Sequence, residues 1–581
     1  MSHKEKYCGV YQYGLNVAKS LKKSTKYSFI YVECSKPEEF LHAVNSTQPS
    51  AIIYNYHPLT LPWLNEKIIN KVSVLHIQIM HEVSQEVADS ADASLFQFHI
   101  ASDPTLQINN PIVFKTGRLV PAYVNTYKLP EVATIGSFGF GLQGKGFEFL
   151  VMTVQQEYDQ AVIRLHIPFA AFGDSSGEKA IATAQRCKDL LIKPGIKLLL
   201  NHEFLGEKQL LDFLAKNTLN AFFYEKYQGR GLSSVIDYAL AVQRPIAITR
   251  SNMFRHILSA KPLICIEDSS LKQIIDNGIA PISSFSNEWN EANLIWDYER
   301  ILDEVLQNPR TPKNGRNYKG KIRKVINKLL GEKEIQRFTN HWIPNSVNER
   351  VDYPLIKNKE HLFIDIPNVT SFNRILNNDA REQYRRAIAV LFALVPDVMY
   401  RKIQEANIQQ AFVFDTVQKF AGQLCTPKIL CVGSYEDTAA LGLKRIGIRM
   451  EEIDPVLNYD LDTYFGKPST VKNSYDIIFS TSVLEHVEND ELFIKQIARL
   501  LALGGTAILT CDYNDQYKQG DRIPQGNFRF YTEKDLMQRI LPLLKDCSLV
   551  DDPQWNCPKP DFAYAGCIYT FATLVFHKNK T

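Results

Sequence analysis

No pair of cysteines in this 581-residue chain stands in a CxxC arrangement, although ten are present. They are scattered at Cys8, Cys34, Cys187, Cys265, Cys425, Cys431, Cys511, Cys547, Cys557 and Cys567. That spacing argues against a zinc framework or a disulfide scaffold, and no metal site is expected. Several fall in apolar runs, where a reduced thiol packs as a small hydrophobe, which favours a reducing cytoplasm. No stretch approaches the eighteen or so uninterrupted apolar residues of a membrane span. The opening MSHKEKYCGVYQYG also lacks an apolar core of signal-peptide length. A soluble, cytoplasmic protein is the expectation. An excess of one charge is missing too. Lys and Arg total 66 against 63 Asp and Glu, and a net charge of +3 implies no polyanionic partner. What is present, 45% hydrophobic and 22% charged residues over several domains' length, is ordinary globular composition.

The fold class expected is multidomain α/β. Over residues 1–125, short apolar runs alternate with helical spacing. Ser28–Glu33, Ala51–Tyr54, Val72–Gln78 and Phe96–Ile100 read as strands, with helices over Leu15–Leu21 and Pro37–Val44. Alternation of this kind predicts a parallel sheet with helices on both faces. GVYQYG stands before the first helix, and its Gly14 would let a substrate sit against the helix start. His81 and Glu82 follow a strand and face the predicted cleft. They read either as a base or acceptor contact, or as a strand-end pair. The pattern restarts at Thr134 and runs to about residue 308, with strands at Thr134–Ser137, Val162–Ile167, Lys197–Asn201, Ala221–Tyr224 and Pro245–Thr249.

Two such domains in tandem resemble the GT-B glycosyltransferases, in an N-terminal domain over 1–125 and a nucleotide-sugar-binding domain over 126–308. IGSFGFGLQGKGFEFL and GRGLSSVIDYALAVQRPIAIT carry the resemblance. It implies that Lys145 acts as a point charge on the donor diphosphate, although a solvated lysine reads as well. Gly231, Ser233 and Ser234 would open a helix toward phosphate, and Asp237 falls where the family has its ribose ligand. One departure is plain. The first glutamate of the family's pair aligns near Gly229, and Glu225 sits four residues early.

Residues 309–370 read as a linker that begins with a basic run, PRTPKNGRNYKGKIRKVINKLL over 309–330. That run is either a solvated face or a peripheral contact with anionic lipid head groups. From 371 to 424 the spacing is helical. RRAIAVLFALV ends at Pro396, and Asp397 is expected to cap a second helix, VMYRKIQEANIQQAF. This hairpin is expected to cover an edge or the mouth of the following sheet. Asn373, Arg374, Arg385 and Arg401 read as surface charge or as substrate contacts.

Over 425–581, KILCV, EEIDP and YDIIFS read as buried parallel strands. The motifs CVGSYED, EEIDP, NYDLD, SYDIIFSTSVLEHV, ARLLALGGTAILT and FRFYTEKDL, in that order, resemble the class I S-adenosylmethionine-dependent methyltransferases. The loop holds a single Gly433 where the family has two or three glycines. The resemblance implies cofactor contacts from Cys431, Val432, Gly433, Ser434 and Ser482, with Asp454 on the ribose diol and Asp460 or Asp462 on the adenine. His486 is the expected base, its ordinary pKa suiting proton removal near neutrality, or else it shapes the pocket. Asp512 is the rival base, a hydroxyl-orienting group or a metal ligand. Glu485, beside His486, is expected to point elsewhere. Arg529 and Tyr531 form a sugar platform, or plain packing.

The expected function is therefore a glycan-modifying enzyme. Its N-terminal half transfers sugar from a nucleotide sugar, and its last domain O-methylates a sugar hydroxyl using S-adenosylmethionine. The acceptor is a glycan, lipid-linked forms included. The alternative is a methyltransferase whose first half only binds glycan or serves as a scaffold.

Overall fold

Three stretches, 1–226, 231–307 and 371–580, are described in the computed structural model. The chain divides into two compact units, Met1–Gln185 with Leu191–Arg350, and Arg186–Leu190 with Val351–Thr581. The basic run, the 309–370 linker and Gly229 lie outside the described residues.

The first unit holds two sheets. Strands β1 (Ala51–Tyr56), β2 (Leu75–Met80), β3 (Phe98–Ala101) and β4 (Val113–Lys115) pair in parallel in that order. The second sheet orders β7 (Ile196–Asn201), β6 (Ala161–His166), β5 (Thr134–Phe138), β8 (Leu219–Phe222) and β9 (Ile246–Ile248), again all parallel. Each lobe has the parallel sheet that the alternation of apolar runs and helices predicts.

Three expectations are corrected here. Ser28–Glu33 forms no strand among the described residues, and its one bridge joins Glu33 to Ser2. The first helix spans Gly9–Leu21 and absorbs GVYQYG, burying Tyr11, Gly14, Val17 and Leu21 on one face at three- and four-residue spacing. The helix Glu291–Gln307, expected in the second lobe, instead buries Leu294, Tyr298, Ile301, Leu302 and Val305 in the core of the first, among Val17, Ile77, Phe98 and Ile100.

The second unit is built on one mixed sheet. Its order is β11 (Glu451–Ile453), β10 (Ile429–Val432), β12 (Tyr475–Ser480), β13 (Leu501–Tyr513), β16 (Cys567–Lys578) and β14 (Cys547–Leu549), with β15 (Phe562–Tyr564) also on β16. β10 to β13 run parallel, and β16 is antiparallel to β13. The helices at 371–424 belong to this same unit. Asn377 caps Asn378–Leu394 by accepting from Ala380 N. The expected second helix is broken into Pro396–Met399, a 3-10 turn Gln404–Ala406, and Asn407–Ala421. Asp397 lies inside the first short helix, whose cap is Val395.

Asn407–Ala421 is buried nearly all round and packs against β12 and β13. It therefore forms a layer on the face of the sheet and not an edge cover. All ten cysteines are unpaired, and only Cys425 is exposed. No helix among the described residues is long and apolar enough to cross a membrane.

Candidate functional site

In the second unit, the carboxyl ends of β10, β11, β12 and β13 bring the sequence-derived residues together. Cys431 and Val432 are inside β10, both buried, with Val432 in the hydrophobic core. Gly433 then turns at φ +84°, and its N–H donates to Ile453 O at 2.8 Å. A Cβ there would overlap Val483 Cγ2, so this glycine also admits a neighbouring side chain. Asp454 holds the loop from beside it. Oδ2 accepts from Tyr435 N at 3.0 Å and Oδ1 from Val456 N at 2.8 Å. A hydroxyl would be the second partner of each oxygen.

Asp460 caps the helix Leu461–Gly466 by accepting from Thr463 N at 2.7 Å, which lowers its pKa. Asp462 accepts from Gln496 Nε2 at 2.7 Å. Both acids thus have helix-holding roles.

The hydroxyls of Ser434, Thr438 and Ser480 are buried there without hydrogen-bond partners among the described residues. Buried donors left unpaired are costly, and a bound polar ligand would satisfy them. Together with Asp454, they fit the polar methionine and ribose ends of S-adenosylmethionine.

Beyond β12 the chain forms a 3-10 turn, Leu484–His486. Ser482, at φ +54°, receives Thr510 Oγ1 as acceptor for its N–H (3.0 Å) and donates its Oγ to Glu485 Oε1 (2.6 Å). Glu485 is fully buried, contrary to the expectation that it points away. Burial raises its pKa. Asp512, also buried, accepts from Asn527 Nδ2 at 2.8 Å. Burial and then the Glu485 charge push its pKa well up. The Ser482 and Glu485 side chains stand three residues apart, and that short spacing was the sequence signal for their contact.

His486 is 46% exposed in its side chain. Its Nδ1 must donate to Gly526 O, 3.0 Å away, because a carbonyl only accepts. Nε2 is then the unprotonated nitrogen of the neutral ring, and it lies 3.9 Å from Glu485 Oε1.

Arg529 and Tyr531 do not form a sugar platform. Arg529 donates to Glu488 O and pairs with Asp490 Oδ2 at 2.6 Å. Tyr531 is fully buried and donates to Asp490 Oδ2, also at 2.6 Å. The buried Asp490 also binds Arg539, and this demand for partners takes both side chains. Among the described residues, no group of three or more His, Cys, Asp or Glu could hold a metal ion.

In the first unit, the loop before the helix Phe147–Glu157 places Lys145 Nζ 4.0 Å from the Tyr224 ring centroid. Gly146 turns at φ +66° where a Cβ would strike Phe223 O. Gly231 abuts the Glu82 backbone, so the two lobes touch there. Ser233 N–H donates to Met253 O, and Ser234 precedes the short helix Val235–Ala241.

Two expected donor contacts are overturned. Gly14 lies in mid-helix, where an added Cβ would overlap the Asn55 amide. Asp237 is locked in a buried pair with Arg118, whose Nε and Nη2 donate to its two oxygens at 3.1 and 2.5 Å. Arg118 further donates to Ser102 O. His81 is taken up as well, since its Nε2 bonds Asn55 Oδ1 at 2.7 Å and burial pushes its pKa down to about 3. Glu82 has an unusual positive φ of 22°.

A family model described as a methyltransferase domain matches residues 467–509. The matched span includes β12, the Leu484–His486 turn and the helix Asp490–Leu500, and it ends inside β13. The chain thus carries a methyltransferase domain. Among solved structures, HepE of Anabaena, in complex with UDP and glucose, is 14% identical, covers 52% of this chain and 98% of its own, and has a TM-score of 0.37. The lipopolysaccharide outer core galactosyltransferase WaaB is 12% identical over 52% of this chain and 98% of its own, with a TM-score of 0.36. The [4+2]-cyclase SpnF is 14% identical over 33% of this chain and 97% of its own, with a TM-score of 0.22. No curated protein matches the chain.

Proposed function

We propose that the second unit O-methylates a sugar hydroxyl, with S-adenosylmethionine as donor, and that the first unit handles the glycan using a nucleotide sugar. The observation that carries the methyl-transfer reading is the unpartnered set Ser434, Thr438 and Ser480 beside Asp454, in the domain whose family match includes β12. When bound, S-adenosylmethionine supplies an electrophilic methyl group. Ser434, Ser480, Ser482 and Asp454 would hold it. His486 Nε2 accepts the hydroxyl proton, because the Gly526 contact fixes the tautomer that leaves this nitrogen free. The buried Asp512 and Glu485 hold the turn that carries His486. Ser482 fixes Glu485, and Phe528 N–H donates to Glu485 O at 2.8 Å.

In the first unit, Lys145 and the Gly146 turn would meet a donor diphosphate. Lys145 supplies the charge and the turn lets the backbone approach. A binding-only role for this unit is the second reading, and the Arg118–Asp237 pair favours it, since the acid expected to hold the ribose is already consumed. Intact-mass analysis of a glycan panel, incubated with adenosylmethionine and with nucleotide sugars separately and together, tests both readings. A mass gain of one methyl group with adenosylmethionine alone supports methyl transfer. A gain of a sugar residue supports glycosyl transfer, and its absence across the panel favours the binding-only unit.

A further inference from the structure

Met1 and Ser2 form a two-residue strand between two extended stretches of the first lobe. On one side, the Met1 amino group donates to Ile53 O at 2.7 Å and Asn55 N–H donates to Met1 O at 2.9 Å. On the other, Ser2 N–H donates to Val32 O at 3.0 Å and Cys34 N–H to Ser2 O at 2.9 Å. These four bonds are the parallel ladder of an inner strand, and they stop at Met1.

Beyond that point both flanks are bare. Ser28–Tyr31 run without a turn or bend and make no main-chain hydrogen bond among the described residues. β1 ends the sheet on that side. Between them is a cavity of about 460 Å³ with mainly apolar walls, among them Val17, Leu21, Phe29, Ile53 and Leu302. Phe29 and Ile53 are only half-buried beside it. Unpaired main-chain groups and apolar walls without neighbours are both costly in the middle of an α/β layer. The Met1 amine is buried too, and desolvation lowers its pKa to about 6. A peptide N–H in its place would keep the bond to Ile53 O and carry no charge to desolvate.

The register sets the length of the missing piece. Ser2 bridges Glu33 in parallel, so Tyr31 stands opposite the residue that would precede Met1, and Ser28 opposite the fourth. We propose that this slot receives one further parallel strand, an apolar run of about four residues joined by a peptide bond to the amino group of Met1. A strand from a separate partner would have to end against the buried amine and leave it a desolvated chain end. The continuous chain is the occupant that relieves it.

The test compares the full chain with two versions extended ahead of Met1, one by a short β-branched apolar segment and one by Gly-Ser of equal length. The apolar extension should slow amide exchange at Ser28–Tyr31 and Ile53 by at least about tenfold. It should also raise the unfolding temperature of the first unit by roughly 2–4 °C or more, and the Gly-Ser extension should do neither. The protein isolated from the cells that make it should show, by intact mass and N-terminal peptide, residues ahead of Met1 that include such a run. A native chain that starts at Met1 or Ser2 overturns the proposal, as does an apolar extension that leaves exchange unchanged. Protection seen only with a separate apolar peptide would assign the slot to a partner and overturn it as well.

Discussion

Replacing Asp237 with Asn separates the two roles open to that carboxylate. In the structure its side chain and that of Arg118 are 4% and 5% exposed, and two guanidinium bonds join them. Burial by itself raises the carboxyl pKa, while Arg118 opposes that shift, so the charge is sustained by its partner. Asp237→Asn keeps the shape and leaves a buried guanidinium without its counter-ion. Losing one partner of such a pair costs about 3–5 kcal/mol. For a unit of this size, each kcal/mol is worth about 2–4 °C, so the first unit should melt roughly 6–20 °C lower. The joint change Arg118→Met with Asp237→Leu should recover much of that loss, because apolar replacement of a buried pair is often close to neutral. Circular dichroism melts of the three proteins, with nucleoside diphosphate titrations by calorimetry, read both quantities. A ribose ligand would behave in the opposite way. A single mutant that melts within about 2 °C of the parent and has lost nucleotide affinity would refute the ion-pair reading.

His486→Ala should lower the methyl-transfer rate roughly a hundredfold with cofactor binding kept, and Asp512→Asn should do much less because an amide keeps the size of that side chain and its bond from Asn527. Steady-state rates of both variants decide this, and a larger loss in Asp512→Asn rejects the histidine base. Gly433→Ala forces a Cβ onto Val483 at φ +84° and should destabilise the second unit by about 1–3 kcal/mol, while adding Val483→Ala relieves the overlap but not the backbone strain, so denaturant melts should show partial rescue only. His81 is neutral when folded, with its pKa down at about 3, and titrates near 6.5 when unfolded, so its contribution is complete above about pH 6.5 and is lost as pH falls toward 3. The acid limb of stability against pH should therefore flatten in His81→Gln by roughly one proton, and an unchanged slope would show that the ring is not buried in solution.

Much of the fold was legible because buried parallel strands are continuous apolar runs. Ile429–Val432, Tyr475–Ser480 and the five strands of the second lobe fall within a residue or two of their expected positions. Ser28–Glu33 has a strand's composition, but a strand also needs a neighbour to bond, and that depends on the rest of the lobe. The breaks in the second connector helix were hidden because apolar spacing persists through Pro396–Met399 and the following turn. Side-chain roles were harder still. Asp237 meets Arg118 across 119 residues, and Tyr531 meets Asp490 across 41, so nothing near either residue in sequence declares the partner. Glu485 was within reach of sequence reasoning, because its bond to Ser482 spans three residues.

The return of Glu291–Gln307 to the first lobe has a consequence for how the chain is made. Leu119, the last strand-side residue of that core, and Leu294, its first helix-side residue, are separated by roughly 175 residues. At about 5–20 residues per second, the first lobe waits on the ribosome for roughly 9–35 seconds with the Val17, Ile77 and Phe98 surface uncovered. During that interval the whole second lobe emerges and can fold. The lobe encoded first is therefore completed last. A ribosome stalled before residue 294 should display an apolar face that holdase chaperones bind, and one stalled far enough beyond residue 307 for the helix to clear the exit tunnel should not.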